Sequence, residues 1–106
     1  MVLKREKGSN KRTGICKLAI DEDMTIYAIE ALKQELSEEI DIYDRFELNL
    51  GAVEEIDSAG VQLLLALGKE LIIKKKELKL TSMSAPVSKL IQNYGINDRF
   101  NMGDAA

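Results

Sequence analysis

The chain has 106 residues, of which 45% are hydrophobic and 31% charged, and carries a net charge of −3. That composition belongs to one globular domain rather than to a disordered or membrane-embedded chain. With no histidine and a single cysteine, Cys16, it excludes a Ser-His-Asp or Cys-His pair, a histidine metal site, a cysteine zinc site and an internal disulfide.

No apolar run approaches the roughly 18 residues of a membrane span, and residues 1–13 are too polar for a signal peptide. A cytoplasmic protein without membrane insertion is therefore expected. Cys16 lies in a strand-like run and reads as a buried thiol. Carboxylates and lysines remain as conceivable catalysts, but none are paired at a recognisable spacing. The expectation is a protein that catalyses nothing and holds no cofactor or metal.

The charges are segregated along the chain. Residues 1–17 carry six bases and one acid, and residues 21–57 carry thirteen acids and two bases, Lys33 and Arg45. Lysines return at 69, 74, 75, 76 and 79. These bases fall on a terminal arm and a helix end, where the dipole already accounts for them. Without tryptophan or a basic reading helix, nucleic-acid binding is not expected.

In chain order, residues 1–13 read as a flexible basic N-terminal arm, with a possible short strand near Val2 and Leu3. Gly14 to Ile20 alternates as a strand. Asp21 to Asp23 reads as a tight turn, and Met24 to Tyr27 as a short returning strand that completes a hairpin. From Ala28 the period changes. Ile29, Leu32, Leu36 and Ile40 form a helical stripe. Phe46, Leu48 and Leu50 mark the central strand.

The stretch EEIDSAGVQLLLALGKELI, Glu54 to Ile72, organises the rest. An acidic loop with Glu54, Glu55 and Asp57 leads to Ser58, the small pair Ala59 and Gly60, and then a helix ending near 74–76. Its inward stripe is predicted to be Val61, Leu64, Leu65, Gly68, Leu71 and Ile72. Leu78 to Thr81 gives a further strand, and 82–84 a turn. Pro86 opens a last helix with Val87, Leu90, Ile91 and Tyr94 inward, capped by Gly95. Ile96 to Phe100 closes a domain spanning 14–100, and 101–106 reads as a frayed C-terminus.

Strands alternating with helices predict an α/β fold, a small mixed, largely parallel sheet with helices packed against it. Functional surface in such sheets gathers at the carboxyl ends of the strands, where Gly51 to Ser58 sits. Ser58 or Asp57 would cap the helix and satisfy its first amides. Neither Gly60 nor Val61 completes a capping box, and a glycine in the first turn implies a close approach to the backbone. A nucleotide-binding loop is not expected, because no GxxxxGK run exists.

From Gly14 to Phe100 the chain resembles the STAS family of sulfate-transporter tails and anti-sigma-factor antagonists. The resemblance rests on MTIYAIEALKQEL at 24–36, LNLGAVEEIDSAGVQLLL at 48–65 and LKLTSMSAPVSKLIQNYGI at 78–96. In the antagonist branch the serine of the DS-[small]-G motif is phosphorylated by a partner kinase, and here that position is Ser58. The resemblance implies a partner switch. Glu54, Glu55, Asp57, Ser58, Ala59, Gly60 and Gln62, with Lys69 further along the helix, would dock on an ATP-binding serine kinase that is also an anti-sigma factor. A phosphatase would reset the switch, and the free domain would be a monomer.

Ala59 stands where classical antagonists often carry a second hydroxyl. The TIY and AGVQLLL segments look closer to STAS proteins of chemotaxis systems or lipid-transport ABC complexes. That resemblance implies the alternative, a constitutive accessory subunit bound to a transporter ATPase or chemotaxis component without phosphorylation.

Overall fold

The computed structural model of the protein describes residues 3–6, 8–10 and 12–95. Ile96 to Phe100 and the tail 101–106 lie outside them. The elements in order are β1 (Leu3–Arg5), β2 (Ile15–Ile20), α1 (Ile26–Ile40), β3 (Arg45–Leu50), α2 (Ser58–Ile73), β4 (Glu77–Met83) and α3 (Ala85–Asn93). The sheet order is β1-β2-β3-β4. β1 runs antiparallel to β2, while β2, β3 and β4 are parallel to one another. A mixed, largely parallel sheet is therefore what the chain builds.

The period of two in the sequence becomes the two sides of this sheet. Cys16, Leu18 and Ile20 of β2 and Phe46, Leu48 and Leu50 of β3 are all buried, and the residues between them are more exposed. Both parallel crossovers step the same way across the sheet. Right-handed connections then bring α1 and α2 onto one face. One core cluster joins those strand residues to Ile29, Leu32 and Leu36 of α1, Leu63, Leu64, Leu67 and Leu71 of α2, and Val87 and Ile91 of α3.

Three expectations give way. The antiparallel partner of β2 is β1, not Met24 to Tyr27. Only Met24 bridges, in parallel, to Ile56, and α1 already begins at Ile26. The Ile26 amide finds a carboxylate acceptor there, which starts a helix despite two strand-favouring residues. The short strand expected near Val2 and Leu3, by contrast, is met by Leu3–Arg5, an edge strand of the sheet. Ser9 ties the following turn to β2, accepting from the Lys17 amide at 2.8 Å. Residues 82 and 83, read as a turn, prolong β4, and Ser84 is the N-cap of α3. Ala85 is the first helical residue of α3, ahead of Pro86.

The inward face of α2 is rotated relative to its predicted stripe. Leu63 and Leu67 are buried, whereas Ile72 is 73% exposed. The helix is apolar on more than one side, so periodicity alone offered two stripes. Tyr94, expected inward, is also exposed, because α3 ends at Asn93 and Gly95 turns the chain away with φ +65°. The C-terminus of α2 closes with bonds from Lys75 N to Ile72 O and from Lys76 N to Leu71 O. That is a Schellman ending built on a left-handed lysine, Lys75, at φ 60°.

Candidate functional site

Two loops emerge side by side from the carboxyl ends of β2 and β3, residues 21–25 and 51–57. They are zipped together. The Met24 amide donates to Glu55 O at 2.8 Å, and the Asp57 amide donates to Met24 O at 3.2 Å. The Glu55 amide donates to the Asp23 carboxylate at 3.2 Å. Met24 itself is fully buried and anchors the joint in the core. The pairing of loops thirty residues apart turns two flexible connections into one platform.

Asp57 sits at the centre. Its Oδ1 accepts from the Gly60 amide at 3.2 Å and so caps α2. Its Oδ2 accepts from the Ile26 amide at 3.0 Å, the first residue of α1. One carboxylate therefore serves the positive ends of two helices, each of which favours negative charge. Thr25, the N-cap of α1, makes no capping bond with its own side chain. The acceptor missing there is supplied from the neighbouring loop.

Gly60 explains why the platform closes so tightly. A Cβ at this position would lie 2.4 Å from Met24 O and 2.7 Å from Ile56 Cγ1. The close approach implied by a first-turn glycine is real, and what approaches is the chain's own Met24. Gly60 is buried and offers no side chain to a partner.

Ser58 is the first residue of α2 and is exposed. Its hydroxyl makes no hydrogen bond among the described residues, because Asp57 fills the capping role. Glu54 and Glu55 are exposed beside it, Asp57 and Ala59 are half-buried, and Gln62 is exposed one turn further along the same helix face. Ala59 packs against the core. Lys69, also exposed, is eleven residues on from Ser58. That returns it to the same side, about 16 Å along the axis.

The structure adds two residues that the sequence assigned to a strand. Ile26 is 66% and Tyr27 96% exposed, on the first turn of α1 beside Asp57. Tyr27 lines an open hollow with Glu22, Asp23, Thr25, Ala28 and Glu55. The available signal was Thr25, an N-cap residue type, followed by apolar residues off the Ile29-Leu32-Leu36 stripe.

The two loops hold six acids, Asp21, Glu22, Asp23, Glu54, Glu55 and Asp57, and no base. Asp21 is partly offset by Lys4, 2.5 Å away. A hydrogen bond from Lys4 holds the Asp21 carboxyl below its ordinary range and raises the Lys4 ammonium in return. Among the described residues no group of histidine, cysteine, aspartate or glutamate is arranged to hold a metal ion.

The family model described as "Mlab, STAS domain" matches residues 10–103. The chain belongs to the STAS family. Among solved structures, this STAS domain is similar to the anti-sigma factor antagonist SpoIIAA in its unphosphorylated form. The TM-score is 0.75 at 19% identity, covering 96% of this chain and 89% of that one. It is similar to the phosphorylated form of SpoIIAA, a Bacillus cell fate determinant, at TM-score 0.70 and 18% identity, with 96% and 92% covered. A Thermotoga maritima protein, a candidate anti-sigma factor antagonist, aligns at TM-score 0.76 and 18% identity, over 83% and 77%. The search of curated proteins finds no match. At these identities the structural likeness establishes the STAS fold. No described helix is long and apolar enough to cross a membrane.

Proposed function

We propose that this STAS domain is a non-catalytic docking module of the anti-sigma-factor-antagonist type, switched by phosphorylation of Ser58. The observation that carries the reading is the division of labour between neighbours. Asp57 caps the helix through Gly60 N, and Ser58 stands exposed with its hydroxyl unused. A residue retained only for capping would be bonded to the helix it begins.

The partner on this reading is an ATP-binding serine kinase that is also an anti-sigma factor. The Ser58 Oγ attacks the γ-phosphorus of ATP, its proton passes to a base on the kinase, and ADP leaves. The product carries roughly −1.5 to −2 additional charges beside Glu54, Glu55 and Asp57. A kinase pocket that faces Ser58 with nucleotide phosphates would meet like charge there and release the domain. A phosphatase then resets it. The change is local, at a helix N-terminus able to tolerate an anion, and requires no refolding.

A second reading has its own support. Ala59 follows Ser58, and the family model that matches is described as "Mlab, STAS domain". A constitutive STAS subunit, bound to a transporter ATPase or a chemotaxis component without phosphorylation, fits both observations. Site mapping on protein recovered with its partner separates the two, followed by titration of that partner with Ser58→Asp and Ser58→Ala. The switch predicts phosphate on Ser58 and at least about a tenfold weaker complex for Ser58→Asp. Unmodified Ser58, with both variants binding like the wild type, refutes the switch and leaves the constitutive subunit.

A further inference from the structure

Ile26 and Tyr27 are the two most exposed large apolar side chains on the loop-bearing end of the molecule after the core is accounted for. Single exposed apolar residues are common and call for no explanation. This pair differs in three respects. The residues are adjacent on one helical turn. They also take no part in the core face of α1, which is Ile29, Leu32 and Leu36. Finally, the backbone that carries them is fixed in place, since the Ile26 amide is bonded to Asp57 Oδ2 at 3.0 Å and Met24, two residues earlier, is fully buried. A backbone already held in one conformation adds little ordering entropy to the cost of binding.

The charges around the pair define what it fits. Glu22, Asp23, Glu54 and Glu55 are all exposed, and three of them share a hollow with Tyr27. Neither loop contributes a base, and the nearest on α1 is Lys33, two turns from Ile26. An apolar centre within an acidic rim is complementary to an apolar cleft edged by lysine and arginine.

Resting on the docking reading above, we infer that Ile26 and Tyr27 are the apolar anchor of the docking face, and that the partner is a protein presenting an apolar cleft with a basic edge. The face then has two halves. The Ser58 half carries the switch, where added charge is read, and the Tyr27 half carries affinity, since exposed tyrosines that become buried are frequent hot spots. Asp57, bonded to the starts of both helices, keeps the halves in register.

The test places a photo-crosslinking phenylalanine derivative at position 27, 58 or 94 of the full chain, in the cells that make it. Position 94 is the control. Ser84 N bonds Leu50 O at 3.1 Å, so α3 starts at the site and Tyr94 lies at its far end. Positions 27 and 58 are expected to trap the same protein, through a peptide in which lysine or arginine flanks apolar residues, and position 94 is not. With that partner purified, Tyr27→Ala is expected to weaken binding by about tenfold or more. Glu54→Lys with Glu55→Lys should weaken it further at about 0.05 M salt than at 0.5 M. Circular dichroism checks that the variants fold, which the exposure of Tyr27 leads one to expect.

A crosslink from position 58 alone, or a Tyr27→Ala affinity within about twofold of wild type, overturns this inference and leaves the Ser58 reading intact. Trapping of lipid or nucleic acid at position 27 also overturns it. No protein trapped at either position overturns both.

Discussion

Replacing Asp57 with alanine removes an acceptor from two helices at once. The Gly60 amide at 3.2 Å and the Ile26 amide at 3.0 Å both lose the carboxylate. A single N-cap is worth about 1 kcal/mol, and a charged group near a helix N-terminus adds roughly 0.3–1 kcal/mol before screening. Asp57 is half-buried, so some of that interaction survives the solvent and some water reaches the freed amides. Two caps together give an expected loss of about 2–3 kcal/mol. In a domain of 106 residues that corresponds to roughly 8–15 °C in Tm. Asp57→Asn keeps one carbonyl acceptor and drops the charge, so about half the loss is expected. Ser58→Ala, which breaks no bond, should fall within about 0.5 kcal/mol.

Urea unfolding followed by circular dichroism measures all three, with unchanged slopes confirming that stability alone has moved. Native-state hydrogen exchange adds a local readout. In Asp57→Ala the Ile26 amide should lose protection together with that of Gly60, although the two lie far apart in sequence. A loss below about 0.5 kcal/mol for Asp57→Ala would refute the shared cap. A loss near 1 kcal/mol for Ser58→Ala would make the serine the cap and remove the main support for its role as a free hydroxyl.

Two further outcomes test the packing. Gly60→Ala gains about 1 kcal/mol of helix propensity, but its Cβ would lie 2.4 Å from a backbone oxygen, Met24 O. Overpacking of this kind costs typically 1–3 kcal/mol. The two loops must also part, so a net loss of about 1–2 kcal/mol is expected in thermal melts, and a stabilised variant would show that they do not meet there. Leu64→Ala should lose about 2–5 kcal/mol as a core truncation, while Ile72→Ala, at 73% exposure, should change stability by less than about 0.5 kcal/mol. Chemical denaturation of the pair reports the rotation of α2, and the reverse order would refute it.

What the sequence determined by itself was whatever depends on neighbours close along the chain. Alternation in 14–20 and 46–50 marked β2 and β3. The 3.6 period found Ile29, Leu32 and Leu36, and the strand-to-helix passage with DSAG placed Ser58 at the start of α2. Absent histidine narrowed the chemistry before any fold was known. What only the tertiary structure decided involves groups distant in sequence. Met24 to Tyr27 reads as a strand locally. Its fate depends on a carboxylate from residue 57, so Ile26 and Tyr27 became a helix start and an exposed surface. The same contact chose Asp57 over Ser58 as the cap, a choice open to local chemistry because both side chains can accept from the first turn. Gly60 announced a close approach, but only the pairing of loops 21–25 and 51–57 identified Met24 as what comes near. The rotation of α2 was equally undetermined, because a helix apolar on several sides is oriented by the sheet it covers and not by its own periodicity.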